Sequence, residues 1–167
     1  MEIQSDPVAG NRATAWKFAA LGALGGFAAA LLLAVVLMKP LMLVTHPSPY
    51  NVEETCQRLK AAIEANGWRC PAIRDMNAAI AKEGLALAQP VRIVELCKAD
   101  YACDVLGTDP EVSTLMPCAF GVYERDGQVF VTGLNTKLMG RLMGGNVARV
   151  MGGGVGTDEK KILECLD

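Results

Sequence analysis

The stretch LMPCAFGVYERDGQVFVTGL, residues Leu115–Leu134, carries two runs rich in branched and aromatic side chains. These runs, Leu115–Glu124 and Gln128–Leu134, flank Asp126-Gly127. An Asp-Gly pair between such runs is a strong hairpin signal, because the type I′ turn that follows the twist of its strands needs residues tolerant of positive φ. The stretch therefore predicts an antiparallel pair.

Upstream, Val91–Cys97 reads as another strand and Lys98–Leu106 as a short helix ended by Gly107. Asn51 or Ser48 can cap a helix from about Val52 to Ala65. Its first turn holds Glu53 and Glu54, its buried stripe is Leu59, Ala62 and Ile63, and Asn66-Gly67 stops it. Trp68–Ile73 reads as a strand interrupted by Pro71, hence an edge or a bulge. Asp75 starts a short helix through Lys82, ended by Gly84. Leu41–Thr45 is short and β-leaning and leads into the turn-rich His46-Pro47-Ser48-Pro49. Downstream, Thr136–Met151 has helical spacing, and seven glycines between Gly140 and Gly156 make it either closely packed or mobile. Asp158–Leu166 reads as a final short helix.

Phe18–Met38 is an unbroken run of 21 apolar residues between Lys17 and Lys39. As a helix it extends ~31 Å, about one bilayer core. It exceeds the length of a secretory h-region, and no small-x-small cleavage site follows, so it reads as an uncleaved signal anchor. The division expected is a cytoplasmic tail over residues 1–15, a transmembrane helix over 16–40 and a periplasmic α+β domain over 41–167. Trp16 stands where an interfacial anchor belongs, and Lys39-Pro40 is expected to end the helix. Arg12 and Lys17 favour an N-terminus inside and a domain outside the inner membrane of a bacterium. Gly22, Gly26, Ala30 and Ala34 recur every four residues, which gives one helix face small enough for a close backbone approach. A partner helix, from another transmembrane subunit or a second copy, fits that face; ordinary membrane-span composition explains it as well.

From Thr45 onward there are 16 acidic and 13 basic side chains, with no basic patch interleaved with aromatics, which argues against nucleic acid as a partner. Membrane lipid is the partner the composition implies. His46 is the only histidine, so mechanisms that need paired imidazoles are excluded. No Cys-x-x-Cys-His haem pattern occurs, and no cofactor is implied.

Tyr50, then Val52-Glu53-Glu54-Thr55, opens the first helix of the exported part, and Asn66-Gly67 closes it. Asp75-Met76-Asn77-Ala78-Ala79 leads to Gly84-Leu85, and Met116-Pro117 opens the hairpin with Asp126-Gly127. In this order and spacing, over roughly residues 41–134, the chain resembles the domain-of-unknown-function 302 family. The resemblance implies a small α+β fold, a curved antiparallel sheet with helices on one face, in the order strand, helix, several strands, helix. It implies no established activity. The plainer members look soluble and cysteine-poor, and this chain departs from them by its apolar run and six cysteines. The arrangement of Cys97 with Met116-Pro117-Cys118 is similar to that of a cysteine-containing subgroup.

All six cysteines (Cys56, Cys70, Cys97, Cys103, Cys118 and Cys165) are disulfide candidates on the oxidising side of a membrane. Cys56 with Cys70 is one candidate pair and Cys97 with Cys118 another; Cys103 lies on the helix between the latter two, and Cys165 is unassigned. Cys97, Cys118 and Met116 are also soft ligands suited to Cu(I), or to zinc with enough thiolates, and a redox-active thiol is a further reading. Met139, Met143 and Met151, with Leu138, Leu142, Val147 and Val150, form a helical stripe that periodicity favours as core over a copper-handling cluster. Gly152-Gly153-Gly154 lacks the following Lys-Ser/Thr of a phosphate loop. Glu95, Glu124 and Asp100 read as solvated carboxylates, and Ser48 and Ser113 lack a histidine base apart from His46 beside Ser48. The expectation carried forward is a non-catalytic, membrane-anchored accessory or interaction subunit, with thiol-redox or soft-metal handling as the alternative.

Overall fold

The positive-φ turn at Asp126-Gly127, with φ of 53° and 76°, joins strands β4 (Cys118–Arg125) and β5 (Gln128–Leu134) in the computed structural model of the protein. The structure describes residues 8–167, apart from the side chains of residues 8–16, 19, 20 and 39. The expected roles of the Arg12, Trp16 and Lys39 side chains and the first seven residues of the expected cytoplasmic tail therefore lie outside the described residues.

The chain divides into two units, residues 1–39 and 40–167. Helix α1 (Val8–Met42) makes up the described part of the first and runs two residues past Pro40, beyond the expected stop at Lys39-Pro40. Proline removes one intrahelical donor but leaves the preceding turns intact. Leu21–Met38 is apolar enough to cross a membrane, and none of it is buried among the described residues.

In the second unit, β1 (Leu43–Ser48) begins directly after Met42, followed by helix α2 (Val52–Ala65). Strand β2 (Ile73–Asp75), helix α3 (Met76–Ala81), strand β3 (Val91–Leu96) and helix α4 (Ala99–Leu106) come next. A 3-10 turn (Pro110–Leu115) then leads into the hairpin. Beyond it, α5 (Thr136–Met143) and the single turn α6 (Gly145–Val147) run into a π-helical segment (Ala148–Val155). Helix α7 (Gly156–Leu163) and a 3-10 turn (Glu164–Leu166) complete the chain.

The five strands form one antiparallel sheet in the order β1-β5-β4-β3-β2. Alternation puts Val94, Leu96, Phe120, Val122, Val129 and Val131 on one face, where all are buried. Helix α2 lies against β3 and β4 on that face, through Leu59 and Ile63, and α7 packs on α2. Each such side chain contributes about 1.5–3 kcal/mol on leaving water. The architecture is α+β, with helices packed on one face of the sheet.

Helix α2 has the expected ends: Asn51 accepts from the Glu54 N–H at 2.9 Å, and the chain turns at Asn66-Gly67. Two expectations are corrected. His46-Pro47-Ser48 is strand rather than turn, pairing with Val131, Phe130 and Val129; proline is tolerated because β1 is an edge. The apolar stripe of the tail is not one face. Gly144 and Gly145, with φ of 73° and 51°, break the helix between Met143 and Val147. Val147, Val150, Met151 and Val155 are buried after the break, whereas Leu142 before it is 68% exposed. The glycine-rich segment is closely packed: a Cβ at Gly140 would stand 2.8 Å from the Gly152 nitrogen.

That approach of two backbones predicts that Gly140→Ala lowers stability by about 1–3 kcal/mol. Gly153→Ala, where an added Cβ meets nothing, should leave it unchanged or raise it slightly. Thermal unfolding of the full chain in one detergent reads both.

Candidate functional site: a carboxyl cleft and a cysteine seam

All six cysteines are free thiols. Register explains why Cys97 and Cys118 are not bridged. Leu96, not Cys97, stands opposite Cys118, and Cys97 instead pairs with Arg69. A one-residue offset is not the directly opposed arrangement that brings two Cβ atoms within bridging reach. Both residues, with Met116 and Pro117, still border a small apolar cavity floored by Val105, Val150 and Met151. Met116 precedes β4 instead of sharing a strand face with Cys118. Burial pushes the Cys118 thiol up to about 12, and the nearby Glu159 adds to the rise. Cys56 is raised to about 11, first by burial beneath the sheet and then by Glu53. Cys70 lies near Cys56 and is raised by burial as well. Cys103 is exposed on α4, and Cys165 sits in the last 3-10 turn. Among the described residues no three His, Cys, Asp or Glu side chains converge as a metal site. A metal-free Cys118 is held as the thiol by the burial around it.

Beside this seam lies a polar hub that residue spacing does not reveal. Asp158, in the first turn of α7, accepts from Trp68 Nε1 at 3.1 Å, Lys98 Nζ at 3.0 Å and Tyr101 Oη at 3.3 Å. Burial works to raise the Asp158 pKa, but the hydrogen bonds from Lys98 and Trp68 outweigh it and hold the carboxyl below its usual range. The same bond to Asp158 raises Lys98. The Lys98 ammonium also stands 4.5 Å from the Tyr101 ring centroid, and Tyr101 meets Trp68 edge-on. Trp68, Lys98 and Tyr101 all donate to the one carboxylate, so the hub reads as a structural clamp between the segment after α2, the start of α4 and α7.

The next residue faces a different setting. Glu159 borders a cleft of about 270 Å³ beside β1, β5, α5 and α7. Its Oε2 accepts from Thr136 Oγ1 at 2.8 Å. Burial drives its pKa up to about 7, and the single Thr136 bond offsets only part of that. Phe120, Leu134 and Leu163 give the cleft apolar walls; His46, Lys137 and Lys160 also line it. A carboxyl that exchanges its proton near neutrality, in a cleft with a few polar groups, has the character of a binding site. None of its residues except His46 carried a sequence signal. Thr136 and Glu159 are 23 residues apart, and only the π-helical segment packed on α5 brings them together.

The pKa of Glu159 has a thermodynamic consequence. The folded chain holds a proton between pH 4.5 and 7 that the unfolded chain releases, so the stability from this group is full below pH 4.5 and falls as pH rises to 7. Glu159→Gln should therefore stabilise the protein by roughly 2 kcal/mol at pH 8, discounted for partial exposure, and change little at pH 4. Thermal melts of both proteins at the two pH values measure this.

Comparison with known proteins agrees with the topology. A crystal structure of an uncharacterized conserved protein DUF302 from Bacillus stearothermophilus superposes with a TM-score of 0.64 at 21% identity. The match covers 75% of this chain and 96% of the other. At that identity the likeness shows the fold. No curated protein matches the chain. Residues 44–164, from β1 through α7, match the family described as Domain of unknown function DUF302. The chain belongs to that family.

Proposed function

We propose that this protein is a membrane-anchored, non-catalytic domain that serves as an accessory or interaction subunit of a membrane complex, facing the periplasm of a bacterium. The observation that carries this reading is the Leu21–Met38 segment. It is 18 residues with a mean hydropathy of 2.4, and none of it is buried among the described residues. Such a surface needs an apolar environment from outside the chain. The Gly22 and Gly26 positions support a helical partner, since an added Cβ at either meets nothing within 4 Å among the described residues. Gly22, Gly26, Ala30 and Ala34 would let a neighbouring helix approach closely. Only residues 39–42 separate the apolar segment from β1, so the chain between them is short.

The alternative, thiol-redox or soft-metal handling at Cys97 and Cys118, has support in their common cavity. The raised Cys118 pKa opposes it. Thiol alkylation at pH 8 distinguishes them. Exposed Cys103 should label first, while Cys56 and Cys118 label only on unfolding; rapid labelling of Cys118 would favour the redox reading.

For the anchored reading, the full chain should stay with membranes through carbonate extraction and run on native mass analysis above the monomer mass. Gly22→Leu/Gly26→Leu should reduce that assembly without releasing the chain from the membrane. A wild-type chain that is always a lone monomer would refute the interaction role.

A further inference from the structure

The Glu159 cleft has a distinctive distribution of charge. Its walls are apolar, its partly buried carboxyl has one hydrogen-bond donor, and Lys137 and Lys160, both exposed, stand among its lining residues. Among the described residues neither lysine joins an ion pair with a carboxylate. The lysines are held in place unequally. The Lys137 stem packs near Gly156, where an added Cβ would come within 3.1 Å of Cγ, and the Lys160 position is fixed by α7. A neutral carboxylic acid donates a hydrogen bond, and two unpaired ammonium groups attract negative charge. Phe120, Leu134 and Leu163 offer an apolar body nothing polar to pair with. The volume of about 270 Å³ lies at the lower edge of small-molecule sites, so the occupant is small.

We propose that this cleft binds a small anionic amphiphile, with its charged head between Lys137, Lys160 and the Glu159 carboxyl and its short apolar body on Phe120, Leu134 and Leu163. The inference concerns the domain alone and goes beyond the anchoring role. The groups that set its pH response are Glu159 itself, His46 from β1, Lys137 from α5, Lys160 from α7 and the Cys118 thiol from β4. Cys118 stays protonated through the working range. Glu159 is the group whose charge the cleft itself brings to change near neutrality. Ionised Glu159 puts a negative charge against the anionic head. Binding is therefore strongest where Glu159 keeps its proton and weakens as pH rises through about 7.

The test is calorimetric titration of the full chain in nanodiscs of zwitterionic lipid, with empty discs subtracted. The probe is octane-1-sulfonate, whose head is ionised at every pH used. The wild-type chain should bind it saturably at pH 5.5 and about tenfold more weakly at pH 8, as the protonated fraction of Glu159 falls. Glu159→Gln keeps a neutral donor at all pH values and should bind at pH 8 nearly as well as the wild type does at pH 5.5. His46→Gln should leave most of the wild-type pH dependence in place. Lys137→Ala/Lys160→Ala, at exposed positions, should weaken binding at both pH values. Competition from anionic phospholipid added to the discs assigns the natural occupant to the bilayer; its absence, with sulfonate binding intact, assigns it to a soluble amphiphile. Three results overturn the proposal: no saturable sulfonate binding at pH 5.5, equal binding of octyltrimethylammonium, or wild-type affinity that is the same at pH 5.5 and 8. None of them bears on membrane attachment, which the carbonate experiment reads separately.

Discussion

Two consecutive positive φ values, 53° at Asp126 and 76° at Gly127, fix how β4 meets β5, and that pairing decides which side chains face the helices. A slip of one residue would carry Val129 and Val131 to the open face and bring Phe130 and Thr132 beneath α2. The error would not stay local. Strand β4 also holds β3 through Phe120–Val94 and Cys118–Leu96, and β5 holds β1 through Val131–His46. Leu59 and Ile63 of α2 would lose the surface they bury against. Asp-Gly is a suitable choice there, since residues with bulky or branched side chains resist a positive φ.

Asp158 and Glu159 show how the same helix can prepare two carboxyls for different ends. Successive residues on a helix point about 100° apart, so Asp158 meets Trp68, Lys98 and Tyr101 while Glu159 meets Thr136. Three donors, one of them cationic, more than offset the cost of burying Asp158 as an anion. One neutral hydroxyl does not do so for Glu159, which keeps its proton to about pH 7. The first arrangement holds three elements together. The second leaves a group whose charge responds to its surroundings, and that is why the cleft, not the hub, is the place where binding is expected.

Much of the fold was legible because it rests on local rules. The Asn51 cap, the Asn66-Gly67 stop, the Asp75 cap, strand β3 and the hairpin are each set by residues within a few positions of one another. The family resemblance likewise pointed to the topology that the comparisons support. What was illegible depends on contacts between distant residues. Pro47 lies in a strand because β1 is an edge, a fact of sheet order rather than of the His46–Pro49 stretch. The tail stripe divides because two glycines take positive φ, which periodicity does not register. Cys97 and Cys118 border one cavity, and the one-residue offset between them is a matter of register, which residue spacing does not disclose. The Glu159 cleft was invisible for the same reason: its carboxyl, its threonine and its lysines come from elements far apart in the chain.

Asn135 shows how closely the start of the domain and the cleft are joined. The last carbonyls of a helix have no partner within it and need donors from elsewhere. At the end of α1, Asn135 supplies two: its backbone N–H donates to the Met42 carbonyl at 2.8 Å and its side-chain Nδ2 to the Leu41 carbonyl at 2.9 Å. Its Oδ1 accepts from the Leu138 N–H at 3.0 Å, capping α5. The next residue is Thr136, whose hydroxyl holds Glu159. One side chain thus closes the first helix, opens the fifth and stands beside the threonine that positions the cleft's carboxyl. Val44, two residues past Met42, lines the same cleft. Val44 and Asn135 thus set one side of the cleft at the start of the sheet, so the hydrogen bonds of Asn135 to Leu41 and Met42 bear directly on where Thr136 presents its hydroxyl to Glu159.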